Sequence, residues 1–186
     1  MDKDGDENVK KTWNARRIIR YAVPVAASIL LMFIIIEGYN FYTLSPEKLY
    51  EENYTPYELS ATRETNHSAS AIEKAYKEKN YGEVIKLNRL TVLSVKDIFL
   101  TGMSFLETKD YSRAVRSFQV VITDIKDNKI GLKDVAEYYL ALAYLRDRDY
   151  DQAIELMNAI YDNPSHSYSK KFSRKYINRV KRLKWR

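Results

Sequence analysis

The sequence predicts an all-α chain in which one apolar helix near the N-terminus is followed by a short α-solenoid of helical hairpins. Five glycines and four prolines in 186 residues are too few for a turn-rich β architecture. Residues 21–36 form an uncharged apolar run, and residues 75–85, 105–115 and 144–154 share a local signature of an aromatic residue, a polar turn and a tyrosine. The predicted segments are a cytoplasmic basic tail (1–20), a transmembrane helix (21–42), a tether (43–67) and a repeat domain (68–186).

The apolar run approaches the length that a membrane requires. It rises about 24 Å as a helix, and continuing it to Tyr42 gives about 33 Å, enough for a hydrocarbon core of about 30 Å. Tyr39, Phe41 and Tyr42 then resemble the aromatic belt of a membrane interface. A cleaved signal peptide or a buried helix of a soluble protein shares these features. Because the small residues that a cleavage site needs, Ala26 to Ser28, lie early in the run, we predict an uncleaved anchor.

The flanking charges predict the orientation of this helix. Arg16, Arg17 and Arg20 lie immediately before the apolar run, whereas the twenty residues after Ile36 contain one base, Lys48, against four acids. The positive-inside rule places the N-terminus in the cytoplasm and the remainder of the chain outside it. In a bacterium this corresponds to a single-pass inner-membrane protein with a periplasmic repeat domain.

The tether that follows is polar and shows no sustained helical period. It contains Pro46 and Pro56, which argue against one long helix. Its three tyrosines, Tyr50, Tyr54 and Tyr57, are more than a flexible spacer needs. We therefore keep open the possibility that the tether docks on the domain that follows.

The three similar segments repeat at a spacing typical of helical hairpins. Their turn tyrosines, Tyr81, Tyr111 and Tyr150, are separated by 30 and 39 residues, on either side of the 34-residue tetratricopeptide period. Over about residues 69–164 the chain resembles the tetratricopeptide repeat family, with a degenerate first copy whose turn is one residue shorter. The resemblance implies packing roles for Gly102, Phe105, Tyr111, Ala114, Phe118, Ala141, Tyr144, Tyr150 and Ala153.

Stacked hairpins bury an apolar face that no single hairpin can bury alone, and the last one needs a cap. Residues 167–184 place apolar side chains on one stripe and are predicted to be this capping helix. A narrower resemblance, to bacterial membrane-anchored repeat proteins, rests on LYEENYTPY (49–57) and AEYYLALAYL (136–145).

The family resemblance implies a protein–protein interaction scaffold rather than an enzyme. In such a stack the first helix of each hairpin lines a concave groove, here predicted to bind a peptide or helix with an apolar or aromatic face. The alternative occupant is the protein's own tether. The groove positions carried over from the family are Lys96, Phe99, Met103, Leu106, Val135, Tyr138, Leu142, Leu145 and Arg146.

Charge is concentrated at the C-terminal end of the chain. Residues 165–186 carry nine bases and no acid, although the whole chain has a net charge of only +6. This segment could rest on anionic lipid, which would suit a membrane-associated regulatory protein. Nucleic-acid binding is not predicted, because it needs the domain in the cytoplasm. The predicted partners are therefore a protein or peptide and membrane lipid.

Composition argues against catalysis. The chain has no cysteine and only two histidines, His67 and His166, which are far apart in sequence. It contains no Gly-rich phosphate loop, paired-histidine metal motif or Gly-x-Ser-x-Gly elbow. We therefore predict no enzymatic activity, no cofactor and no metal site.

Overall fold

The computed structural model describes residues 4–59, 69–90, 92–124 and 130–185. Within these residues all regular secondary structure is α-helical, which confirms the predicted class. Residues 1–3 of the predicted tail and 60–67 of the predicted tether, with His67, lie outside the described residues. The helices are α1 (Asp4–Tyr42), α2 (Pro46–Asn53), α3 (Ala71–Lys77), α4 (Tyr81–Leu87), α5 (Val95–Glu107), α6 (Tyr111–Asp124), α7 (Ile130–Asp147), α8 (Tyr150–Asp162) and α9 (Arg174–Lys184).

Contacts divide the chain into two compact units, Met1–Leu44 and Ser45–Arg186. The first unit is essentially α1, which continues from the basic segment into the apolar run without a break. Its span Arg20–Tyr39 has a mean hydropathy of 2.0 and is 0% buried, which argues against a core helix. A membrane span and a signal sequence share this length and composition.

The second unit is a row of helices in which each packs against the next from α3 to α9. This arrangement fits the predicted short solenoid of three hairpins, α3–α4, α5–α6 and α7–α8, with α9 as the cap. Serines cap the N-termini of four helices of this unit, because Ser45, Ser70, Ser94 and Ser173 each accept a hydrogen bond from the backbone N–H three residues on. Asp97 completes a capping box with Ser94 and accepts a second bond from Ser70 at 2.6 Å, which links two neighbouring hairpins.

The turn inside each hairpin has the same backbone conformation. One residue in the left-handed region stands at the same place in every copy: Lys79 (φ 56), Lys109 (φ 62) and Arg148 (φ 65). The next backbone N–H donates to the carbonyl five residues earlier: Asn80 to Ala75, Asp110 to Phe105 and Asp149 to Tyr144. The predicted shorter turn of the first copy is therefore wrong. Its turn has full length, and the aromatic residue is displaced by one position, so that Ala75 stands where the other copies have Phe105 and Tyr144.

The two helices of the second hairpin approach closely at Gly102. A Cβ atom there would lie 2.8 Å from Cε1 of Phe118, whose ring is 0% exposed. The other predicted repeat-packing positions form a buried group and a partly exposed group. The buried group is Phe105, Ala114, Ala141, Tyr144 and Ala153, and the partly exposed group is Tyr111 and Tyr150. The Tyr111 hydroxyl therefore lies at the edge of the stack, where it accepts a hydrogen bond from Arg146 on α7.

The capping helix is shorter than predicted. It begins at Arg174 instead of residue 167, because residues 164–173 form a series of turns held by backbone hydrogen bonds. Phe172 nevertheless lies in the core with Tyr176, Ile177, Val180 and Leu183. The apolar stripe was therefore identified correctly, although part of it lies outside regular helix.

Candidate functional site

One side of the helix row is covered by the protein's own chain. Residues 45–59, which comprise α2 and an extended stretch after it, are named here the groove segment. They lie against α3, α5, α7 and α9, and the side of these helices that contacts them is named the groove. The predicted groove is therefore occupied by a part of the predicted tether.

Four tyrosine hydroxyls, one from α3, two from α7 and one from α9, donate to backbone carbonyls of the groove segment. In order along the segment, the pairs are Tyr176 to Leu49 (2.6 Å), Tyr138 to Asn53, Tyr139 to Thr55 (2.7 Å) and Tyr76 to Tyr57 (2.9 Å). We name these four residues the tyrosine ladder. Since every residue has a backbone carbonyl, the ladder can hold a peptide main chain whatever its sequence.

Side chains of the groove segment supply the specific contacts. Leu49 is 0% exposed and is the apolar anchor of α2. Edge-to-face contacts join each of the three tyrosines of the groove segment to a ring of the repeat helices. The pairs are Tyr50 with Tyr111 (ring centroids 6.3 Å apart), Tyr54 with Tyr139 (6.1 Å) and Tyr57 with Phe99 (4.9 Å). Such aromatic pairs contribute about 0.5–1.5 kcal/mol each beyond their burial. The three tyrosines of the tether therefore act as ligands of the groove.

Charged groups flank this aromatic contact. Glu47 pairs with Arg146, and both terminal nitrogens of the Arg179 guanidinium bond to the carboxylate of Glu52. This hydrogen bonding by Arg179 lowers the pKa of Glu52 despite an opposing contribution from burial. The Tyr54 hydroxyl donates to Glu107 on α5. The groove segment is thus fixed by ion pairs near its helix and by hydroxyl bonds along its length.

Arg146 joins the groove segment to the turn of the second hairpin. Its guanidinium donates to the Tyr111 hydroxyl at 2.9 Å and lies 4.7 Å from the centre of that ring. The same guanidinium lies 5.7 Å from the ring of Tyr50. A partly desolvated arginine over two aromatic faces is held more firmly than one in water. Replacing it would therefore weaken the contacts of both Glu47 and Tyr50.

The tyrosines of this interface are held in the neutral form. Burial raises the pKa of Tyr138 to about 12. Burial is also the main cause of the raised pKa values of Tyr50, Tyr54, Tyr76, Tyr139 and Tyr176. Each hydroxyl therefore keeps its proton, and its ability to donate, well beyond neutral pH.

Three of the nine predicted groove positions lie at this interface. Phe99, Tyr138 and Arg146 contact the groove segment directly, through Tyr57, Asn53 and Glu47. Lys96 instead pairs with Glu73 at 3.0 Å and links α5 to α3. Four of the others, Met103, Leu106, Leu142 and Leu145, are buried in the core, and Val135 is partly exposed.

Sequence reasoning missed three members of the ladder. The family pattern was applied to the second and third hairpins, so it did not include Tyr76 on α3 or Tyr176 on α9. It selected Tyr138 but not the adjacent Tyr139, which also reaches the groove segment. The available signal was the count of sixteen tyrosines, which exceeds what hairpin packing needs.

A second cluster, of Asp134, Glu137 and His166, lies between α7 and the loop before α9. One possible ligand atom from each residue lies within 4.8 Å of the others. However, the backbone N–H of Tyr168 donates to Nδ1 of His166 at 3.1 Å, which places the imidazole proton on Nε2. Nε2 lies 3.3 Å from Glu137, so the nitrogen that faces the carboxylates carries a hydrogen instead of a lone pair. A metal ligand needs that lone pair.

Asp134 is also engaged on its other oxygen. It accepts hydrogen bonds from the backbone N–H and the hydroxyl of Ser167, each at 2.7 Å. Burial alone would raise the pKa of Asp134, but these bonds lower it below its usual value. The cluster is therefore better suited to fastening the loop to α7 than to binding a metal.

Comparisons with known proteins support the repeat assignment. A protein-family model described as tetratricopeptide repeat matches residues 98–124 and 135–166, which correspond to the second and third hairpins. No curated protein and no solved structure gives a significant match. Repeats of this family form protein–protein interaction scaffolds and are typically not catalytic.

Proposed function

We propose, from the premise that this chain is a tetratricopeptide repeat protein, that it is a membrane-anchored interaction scaffold whose groove binds a tyrosine-bearing peptide. The observation that carries the proposal is the tyrosine ladder, which bonds to backbone carbonyls over residues 49–57. A groove that holds main chain in this way has the chemistry of a peptide-binding site. Its present occupant defines the ligand, a short helix followed by an extended stretch with aromatic side chains.

The groove segment acts as a resident ligand that limits access for other peptides. Because it belongs to the same chain, its effective concentration at the groove is in the millimolar range. A partner of equal intrinsic affinity must exceed about that concentration, or must bind when the groove segment is released. The scaffold therefore exchanges one peptide for another instead of presenting an open groove.

Membrane attachment is assigned to α1. The apolar span Arg20–Tyr39 is 0% buried and is long enough to cross a bilayer. The arginines before it favour a cytoplasmic N-terminus, which would place the repeat domain in the periplasm of a bacterium. Resistance to alkaline carbonate extraction tests the anchor, and a reporter fused after Arg186 tests the orientation. Extraction of the full chain by carbonate would contradict this assignment.

Peptide exchange is tested with a fluorescent peptide of residues 45–59 added to the full chain. Phe99 and Tyr138 are 0% and 1% exposed, so alanine at either would destabilise the domain itself. The variants are therefore placed in the groove segment. Leu49→Asp puts a charge in a fully buried position and should release the segment, whereas Lys48→Asp on the exposed side of α2 is the matched control.

The peptide should bind Leu49→Asp at least about 100-fold more tightly than the wild type or the control. Glu52→Arg, which sets two like charges against each other at Arg179, should release the segment without altering the core. If both variants keep their helical circular dichroism and neither binds the peptide, the exchange proposal is wrong. In that case the groove segment is a permanent part of the core.

A further inference from the structure

The outward face of α9 is a separate feature of the domain. The helix buries Tyr176, Ile177, Val180 and Leu183 on one side. Its exposed side chains cover about 120° of the opposite side, given 3.6 residues per turn. This basic face consists of Arg174, Lys175, Asn178, Lys181, Arg182 and Trp185, all exposed.

The basic face has few acids near it in sequence. Residues 165–186 contain nine bases and no acidic residue. Within the described residues, ion pairs join α9 to other elements: Arg174 with Asp162, Arg179 with Glu52 and Lys184 with Asp151. Arg179 and Lys184 lie beside the basic face, whereas Arg174 lies on it. The face also presents Lys175 and Lys181, which are exposed to solvent.

Trp185 adds an apolar group to the same face. It caps the C-terminus of α9 and is 83% exposed. An indole beside several bases is typical of helices that lie in the interface of a bilayer, where the ring sits at headgroup level and the bases contact phosphates. Nucleic acid could also accept the bases, but it gives no reason for an apolar span in the same chain.

We infer that the basic face docks on the anionic lipid headgroups of the membrane that holds α1, an inference that rests on the proposed membrane attachment. Three residues separate Tyr42, at the end of α1, from Pro46, at the start of α2. Because the domain and the anchor belong to one chain, docking is an intramolecular step favoured by a high effective concentration. Anionic headgroups attract exposed bases such as Lys175 and Lys181.

Docking is tested with the full chain reconstituted into vesicles whose acyl chains are brominated. Trp13→Phe leaves Trp185 as the single tryptophan, and bromine quenches its fluorescence on contact. One set of vesicles is phosphatidylcholine alone and the other contains added phosphatidylglycerol. We expect stronger quenching and a blue-shifted emission in the anionic vesicles.

Charge reversal separates this face from overall charge. Lys175→Glu and Lys181→Glu on the basic face, combined with Lys171→Glu in the exposed turn before α9, should lower the ratio of docked to undocked protein by about fivefold for each base removed. The matched control, Lys77→Glu, Arg89→Glu and Arg116→Glu, changes the net charge equally at exposed positions on other elements. In the control variant, the brominated lipid should quench Trp185 as strongly as it does when the basic face is unmodified.

Equal quenching in both lipids, or equal loss in the two triple variants, would overturn the inference. Salt-dependent binding of duplex DNA that the first triple variant loses, without any lipid difference, would assign the face to nucleic acid instead. Failure of the protein to float with phosphatidylcholine vesicles would contradict the α1 anchor. Flotation is measured separately from the quenching of Trp185, so failure of the α1 anchor can be distinguished from failure of the basic face to dock.

Discussion

The groove and the basic face are two surfaces of one domain that differ in how their polar groups are satisfied. In the groove, hydroxyls and charges find partners in the chain itself, as Tyr176 does at Leu49 and Arg179 does at Glu52. On the basic face, exposed bases stand in a segment that contains no acid. The first surface has a ligand already, and the second is available for one.

This difference separates recognition within the chain from recognition of a partner. The groove segment shows what the groove binds, because the ligand and its contacts are both described. The basic face shows only the chemistry of its partner, through the sign of its charge and one exposed indole. Experiments on the groove therefore begin by removing a ligand, whereas experiments on the basic face begin by adding one.

Alkaline pH should give the largest effect on the groove. The ladder tyrosines have pKa values raised mainly by burial, to about 12 for Tyr138, against about 10 in the unfolded chain. Their stabilising contribution is complete below pH 10 and is lost as the pH rises toward 12, because the unfolded chain releases these protons first. Tyrosine absorbance at 295 nm and helical circular dichroism should therefore change together above pH 10.

Ionisation of all tyrosines near pH 10 with the helical signal intact would contradict the buried ladder.

Truncation of the α2 anchor should give the next largest effect. Leu49→Ala removes a side chain that is 0% exposed, and we expect the free energy of unfolding to fall by about 2–5 kcal/mol. Lys48→Ala, on the exposed side of the same helix, should change it by less than about 0.5 kcal/mol. Urea denaturation monitored by circular dichroism measures both. Equal stability of the two variants would show that the groove segment adds little to the fold.

Gly102 tests whether hairpin packing is as demanding as the groove contacts. Gly102→Ala should destabilise the protein by about 1–3 kcal/mol, because the added Cβ would lie 2.8 Å from the buried ring of Phe118. At Gly82 the nearest atom to an added Cβ, Oδ1 of Asn80, is 4.0 Å away, so Gly82→Ala should gain up to about 1 kcal/mol from helix propensity. Thermal denaturation of both variants checks the sign of each change. A stabilising Gly102→Ala would show that the α5–α6 contact is loose.

Local sequence patterns predicted the helices and the hairpins, because each depends on residues a few positions apart. The close approach at Gly102 was implied by the family resemblance. The cationic character of the C-terminal segment was predictable for the same reason. The tyrosine ladder was not, since Tyr76 lies 19 residues from its carbonyl and Tyr176 lies 127 residues from its own. A buried tyrosine indicates that its hydroxyl needs a partner, but not which distant carbonyl the fold supplies.

The hairpin turns show a second limit of the sequence. A left-handed residue is expected at glycine, but here lysine or arginine adopts that conformation in all three copies. The turn tyrosines Tyr81, Tyr111 and Tyr150 align the three copies in the correct register, each two residues after the left-handed position. Without a glycine to mark the turn, the displaced aromatic Tyr76 wrongly predicted a shorter turn in the first copy. The backbone geometry, and not the residue type, defines the repeat at this point.

The smallest expected effect follows from that geometry. Lys109 has φ 62, and a residue with a Cβ atom is strained there, so Lys109→Gly should stabilise the protein by about 0.5–1 kcal/mol. Lys74→Gly, at an exposed position inside α3, should instead destabilise it by about 1 kcal/mol, because glycine lowers helix propensity. Relative to wild type, the melting temperature should rise in the first variant and fall in the second. This opposite behaviour is expected only if Lys109 has the left-handed conformation. Since neither lysine contacts the groove segment in the described contacts, peptide exchange should stay unchanged in both, which separates the hairpin scaffold from the ligand that it holds.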